Sequence, residues 1–146
     1  MNQPNPVDLQ QTIGREFLST VPRSGWVTGV VTYRQVGNAF QAEASATDEA
    51  GQHVGGSTTM PMIRAFRGLR AALAQPGKGA WFTAVLTLTP EGRMSFDFDY
   101  DSEPAWQPSK AVGHYLEEWE EFPRAPEHTP AWLAERLEQA RTERGS

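Results

Sequence analysis

Leu9, Ile13 and Phe17 recur at every fourth position, a spacing that lines them along one face of a helix. Asn5-Pro6 opens that helix, since Asn caps well and Pro suits the first helical position, and the helix is expected to end near Pro22. Over residues 26–35 the pattern shifts to Val, Thr and Tyr, which predicts a strand. Gly37-Asn38 then marks a hairpin turn. Phe40, Ala42, Ala44 and Ala46 alternate with Gln41, Glu43, Ser45 and Thr47, so a second strand buries one small-residue face. After the turn at Asp48-Glu49-Ala50-Gly51, residues 52–58 can form a short third strand, weakened by Gly55-Gly56.

Pro61 opens a second helix whose Met62, Phe66, Leu69 and Leu73 keep helical spacing. Arg64, Arg67 and Arg70 fall away from that stripe; such a row can bind phosphate but on a helix surface reads first as a solvated face. Residues 81–89, WFTAVLTLT, make a strong strand, Pro90-Glu91-Gly92 a tight turn, and residues 93–100 the returning strand. In the return, Met94, Phe96, Phe98 and Tyr100 are expected to point one way and Ser95, Asp97, Asp99 and Asp101 the other. Ser109 is placed to cap a third helix with Val112, Tyr115, Leu116 and Trp119 as its stripe. Thr129-Pro130 starts a last helix carrying Trp132, Leu133, Leu137 and Ala140, with a tail expected to fray from about residue 141. The order predicts an α+β fold: an antiparallel β-sheet with N-terminal, middle and C-terminal helices packed on one face or at its ends. No repeat or linker divides the chain, so residues 1–146 are expected to form a single domain.

The chain's 38% hydrophobic content is modest, but 5 Trp and 7 Phe supply large burial units, so a folded domain is expected. The formal net charge of −5 argues against nucleic acid as a partner. With no cysteine there is no disulfide, thiolate metal site or cysteine nucleophile, which fits a cytoplasmic protein. The opening MNQPNPVDLQQ has neither the basic nor the apolar region of a secretory signal, and no apolar run approaches a membrane span.

Negative charge gathers in the second half, where FDFDYDSEPAW leads to a helix with Glu117, Glu118, Glu120 and Glu121. Between Glu91 and Glu121 the only basic residues are Arg93 and Lys110. Such crowding destabilises a fold unless a cation or a basic surface offsets it. Asp97, Asp99 and Asp101 suggest a metal, yet a calcium loop would need Gly at Ser102 and Glu at Pro108. No Gly-rich phosphate cradle accompanies the Asp row. A metal-dependent enzyme or metal-binding module using this row is therefore an alternative, as is a generic small-ligand or adaptor domain. His53, His114 and His128 stand in no pairing motif with each other or with Glu, and Ser24, Ser57 and Ser109 lie in no nucleophile elbow. No catalytic residue, metal ligand or cofactor is expected. Trp106, in a loop between Ala105 and Pro108, is either an exposed anchor for a partner or packed under its own loop.

The segment GAWFTAVLTLTPEGRMSFDFDYDSEPAW, followed by YLEEWEEFPR and PAWL, resembles the YezG-like immunity proteins, antitoxins of bacterial polymorphic-toxin systems. The resemblance rests on Trp81, Gly92, Phe96, Asp97, Phe98, Asp99, Tyr100 and Asp101, with the helix–sheet–helix–hairpin order around them. The tail after Trp106 departs from that pattern, which leaves the cognate toxin open. The resemblance implies a non-catalytic domain that occupies the basic or phosphate-binding cleft of a nuclease or NAD-degrading toxin. Asp97, Asp99, Asp101, Glu103, Trp106, Glu117, Glu118, Glu120 and Glu121 are then the expected partner-binding residues.

Overall fold

The computed structural model describes residues 5–106 and 110–144. Elements follow in the order α1 (Pro6–Leu18), β1 (Thr28–Val36), β2 (Ala39–Thr47), β3 (His53–Gly55), α2 (Met60–Leu73), β4 (Thr83–Leu88), β5 (Met94–Asp99), α3 (Gly113–Glu121) and α4 (Ala131–Arg144), with one 3-10 turn at Pro126–His128. The fold is α+β, with a five-stranded sheet in the order β3-β2-β1-β4-β5. The sheet is antiparallel throughout. Val27 N–H bonds Thr47 C=O, Gln35 N–H bonds Phe82 C=O, and Phe82 N–H bonds Asp99 C=O, each joining the start of one strand to the end of its neighbour. The β2–β3 pair shifts register by a bulge at Ala46/Thr47.

Local chemistry accounts for these boundaries. The Asn5 side chain accepts the Val7 N–H at 2.7 Å and Pro6 fills the first turn. The helix stops at Leu18, short of Pro22, because the Ser19 and Thr20 hydroxyls turn back onto the carbonyls of Glu16 and Phe17. Thr59 caps α2 by accepting the Met62 N–H at 3.2 Å and donates to Glu16 at 2.8 Å. The third strand keeps only three of its expected residues, with positive φ at Gly55 and Gly56.

The chain divides into two compact units of interleaved segments. The first comprises residues 1–33, 42–73 and 84–98. In it, Phe17 of α1 lies on Gly29 and Phe66 of α2 stacks on Tyr33 with centroids 4.8 Å apart. Gly29 and Tyr33 share one face of β1, so both helices cover that face and Val30 and Thr32 look out from the other. Ala84, Leu86 and Leu88 alternate inward along β4. Arg70, expected on a solvated face, is only 2% exposed. Burial pushes the Tyr33 hydroxyl up to about 12, against the opposing pull of Arg67 and Arg70.

The second unit comprises residues 34–41, 74–83 and 99–146. Its core is Val36, Phe82, Trp106, Tyr115, Leu116, Leu133, Leu137 and Ala140, with Trp119 and Trp132 against it. Trp132 meets Phe82 and Tyr115 edge-on, at 5.0 and 6.1 Å between centroids. The expected cap Ser109 lies outside the described residues; α3 begins at Gly113 behind Val112, with no side-chain cap. The tail expected to fray from 141 is helical through Arg144, and Gly145 and Ser146 lie outside the described residues. No helix among the described residues is long and apolar enough to cross a membrane.

Candidate functional site

The acidic half of the chain divides into carboxylates that hold the second unit together and carboxylates that face solvent. Strand β5 ends at Asp99, whose Oδ1 accepts the N–H groups of Asp101 and Ser102 at 2.9 Å each. Partial burial raises the Asp99 carboxyl, but those N–H groups and the Ser102 hydroxyl outweigh it and hold the group below its ordinary value. The alternating row therefore stops there. Asp101 sits past the turn, its carbonyl accepting the Trp132 indole N–H at 2.6 Å.

Glu103 is committed to α4. Arg136 donates to it through Nε at 2.6 Å and Nη2 at 3.1 Å, and the Tyr115 hydroxyl donates at 3.0 Å. The guanidinium holds the Glu103 carboxyl below its ordinary value, and Glu103 in turn raises Arg136. Burial pushes Tyr115 up to about 12. Trp106, the proposed exposed anchor, is 9% exposed and donates its indole N–H to the Tyr115 hydroxyl at 3.1 Å. It packs under its own loop, the second of the two arrangements its sequence context allowed.

The glutamates of α3 point in different directions. Glu118 is 2% exposed and accepts the Gly37 N–H at 2.9 Å. Glu117 accepts the next N–H, that of Asn38, at 3.1 Å, and pairs with His114 Nδ1 at 2.7 Å. The imidazole and the Asn38 N–H hold Glu117 below its ordinary value. Two adjacent carboxylates thus read two adjacent N–H groups of the Gly37-Asn38 turn. The His114–Glu117 pair also corrects the expectation that no histidine pairs with a glutamate. Of the nine expected partner-binding residues, Asp97, Asp101, Glu120 and Glu121 are exposed, while Asp99, Glu103, Trp106, Glu117 and Glu118 serve the fold.

Arg136 and Gly37 lie 33 and 81 residues from Glu103 and Glu118, beyond any sequence spacing, whereas His114 stands three residues before Glu117, a helical spacing that signals their pair. Arg124 is buried, bonds the carbonyls of His128 and Ala80 at 3.1 and 3.0 Å, and stacks over Phe82 at 4.7 Å. A hollow of about 360 Å³ lies between Trp106, Lys110, Tyr115, Arg136 and Glu103. Its carboxylate already carries a bidentate ion pair, so it is poorly suited to take a proton near neutral pH. Elsewhere, half-buried Ser45 and exposed His53 hydrogen-bond at 2.7 Å across β2 and β3. Among the described residues no group of three or more His, Asp or Glu is placed to hold a metal ion. No protein-family model matches the chain, and no curated protein matches its sequence.

Proposed function

We propose that this chain is an immunity protein that acts in the cytoplasm and neutralises a bacterial toxin by stoichiometric binding. Its exposed carboxylates meet the basic or phosphate-binding cleft of a nuclease or NAD-degrading enzyme, and the chain itself catalyses nothing. The observation that carries the reading is the end of α3. Glu120 and Glu121 are exposed in its last turn, with no basic residue there and no ion pair among the described residues. A helix C-terminus carries partial negative charge, so each glutamate there destabilises the free protein. A cationic partner surface would reverse that cost and speed association. The resemblance of the Trp81 to Asp101 segment to immunity proteins, and the net charge of −5, point the same way.

Co-expression with any toxin encoded beside this chain's reading frame tests the proposal. Growth should be rescued, and equal killing with and without the chain would sink it. The double variant Glu120→Lys, Glu121→Lys should bind at least about tenfold more weakly and lose salt dependence.

One observation favours a small-ligand role, the 360 Å³ hollow with the Lys110 and Arg136 cations at its wall. A thermal-shift screen of small anions separates the two readings, since a saturable rise in Tm belongs to the second alone.

A further inference from the structure

The two edges of the sheet are treated differently by the chain. On one side, β3 has three residues and is backed by the segment after α1: Gly56 N–H bonds Thr20 C=O and Ser57 N–H bonds the Thr20 hydroxyl, both at 3.1 Å. On the other side, β5 is a six-residue edge strand with no proline. Arg93 and Asp99 both turn their carbonyls to the β4 side, accepting from Thr89 and Phe82. Alternate residues of an antiparallel edge face its neighbour, so Ser95 and Asp97 do so as well. The main-chain groups of Met94 and Phe96 therefore point away from the sheet. Met94 is also 38% exposed and Phe96 is half-buried. Such an edge is a template for another strand.

We propose that this edge pairs with β5 of a second copy, in an antiparallel two-fold contact centred on Ser95. The charge pattern selects both the occupant and the register. Arg93 and Asp97 share the face of β5 that carries Ser95, and both are exposed. About an axis at Ser95, Arg93 of each copy lies directly opposite Asp97 of the other, in a non-hydrogen-bonded position where side chains are closest. Met94 packs its sulfur on Gly14 of α1, and the same axis sets the part of it left exposed against half-buried Phe96 while the main-chain groups of the two residues bond each other. A shift to an axis at Phe96 places Asp97 opposite Ser95 and Arg93 opposite Asp99, which already accepts the N–H groups of Asp101 and Ser102. A single charge on an edge discourages self-pairing, but opposite charges four residues apart favour it in one register. The contact is isologous and closed, so it ends at the dimer. It stands independently of the toxin-binding reading.

Sedimentation velocity on the intact chain provides the test. Weight-average mass should rise from 16.2 kDa toward twice that as concentration goes from about 5 to about 500 µM. Asp97→Arg alone and Arg93→Asp alone should each weaken association about tenfold or more, because each sets like charges opposite one another. An equimolar mixture of these two variants should associate at least as well as the parent, since every cross-copy pair is then opposite in sign. Phe96→Pro should abolish association while far-UV circular dichroism stays unchanged, since the N–H it removes faces outward. A chain that stays monomeric throughout, or a dimer indifferent to both charge variants, overturns the proposal. So does a monomer that captures an added basic β-strand peptide, which would give the edge to a foreign strand.

Discussion

Glu118 accepts the backbone N–H of Gly37 at 2.9 Å across 81 residues of chain, and does so almost fully buried. A carboxylate on a helix thereby closes a hairpin turn formed much earlier in the sequence. Glu117 takes the neighbouring N–H, so the turn is gripped at two consecutive positions.

Removing that grip should be costly. Glu118→Ala leaves the Gly37 donor buried without its acceptor and is expected to lower unfolding stability by about 2–3 kcal/mol. Gly37→Ala should match or exceed it, since a Cβ there would run into the His114 carbonyl and φ is +56°. Chemical denaturation of both variants checks this.

Gly29 is a contact glycine. A methyl group at this position would enter the ring of Phe17, so Gly29→Ala should destabilise by about 1–3 kcal/mol. Pairing it with Phe17→Leu should recover part of the loss, a non-additivity that a double-mutant cycle measures.

Acid should loosen the second unit through Glu103. Arg136 holds its carboxyl below the ordinary 4.5, so the folded state favours the charged form. That stability is fully present above pH 4.5 and is lost as pH falls through the lower folded value. Glu103→Gln should cost about 1–2 kcal/mol at neutral pH and flatten the acid limb of a Tm-against-pH curve. Asp99 and Glu117 act in the same direction, so part of the limb should persist.

Alkali should act through two tyrosines. Tyr33 and Tyr115 are each pushed from 10.0 to about 12, first of all by burial, so folding favours their neutral forms. Their contribution is complete below pH 10 and disappears as pH climbs toward 12. Tyrosinate absorbance should rise together with unfolding, and Tyr115→Phe should shift the alkaline midpoint upward.

Stability and function should separate at the end of α3. Glu120→Lys and Glu121→Lys replace anions at the negative pole of the helix, so each should raise stability by about 0.3–1 kcal/mol. The same double variant is the one expected to lose toxin affinity. A thermal melt and a binding titration on one sample decide both.

The elements were legible because their causes are local. The Asn5 cap, the alternation along β4 and β5, the Gly37-Asn38 turn and the Met62–Phe66–Leu69 stripe depend on residues within a turn or a strand of each other. Even the small errors were local: Ser19 and Thr20 ended α1 before Pro22 could, and Asp99 ended β5 by bonding two residues ahead.

The fate of the charged and polar side chains was not legible in the same way. Glu103, Glu117 and Glu118 read as partner-binding and Arg70 as solvated, yet Glu103 and Glu117 are tied to Arg136 and His114, Glu118 is buried on the Gly37 N–H, and Arg70 is buried. Trp106 could have been exposed until Tyr115 was found to hold its indole N–H. A charge leaves water only when a specific donor or acceptor repays its desolvation, and these partners lie as far as 81 residues away. The sequence by itself determined which segments become helices and strands and that they assemble as α+β. Only the tertiary structure decided which of its carboxylates are spent on the fold and which stay in solvent, because the bonds that commit Glu103, Glu117 and Glu118 reach 33, 79 and 81 residues along the chain.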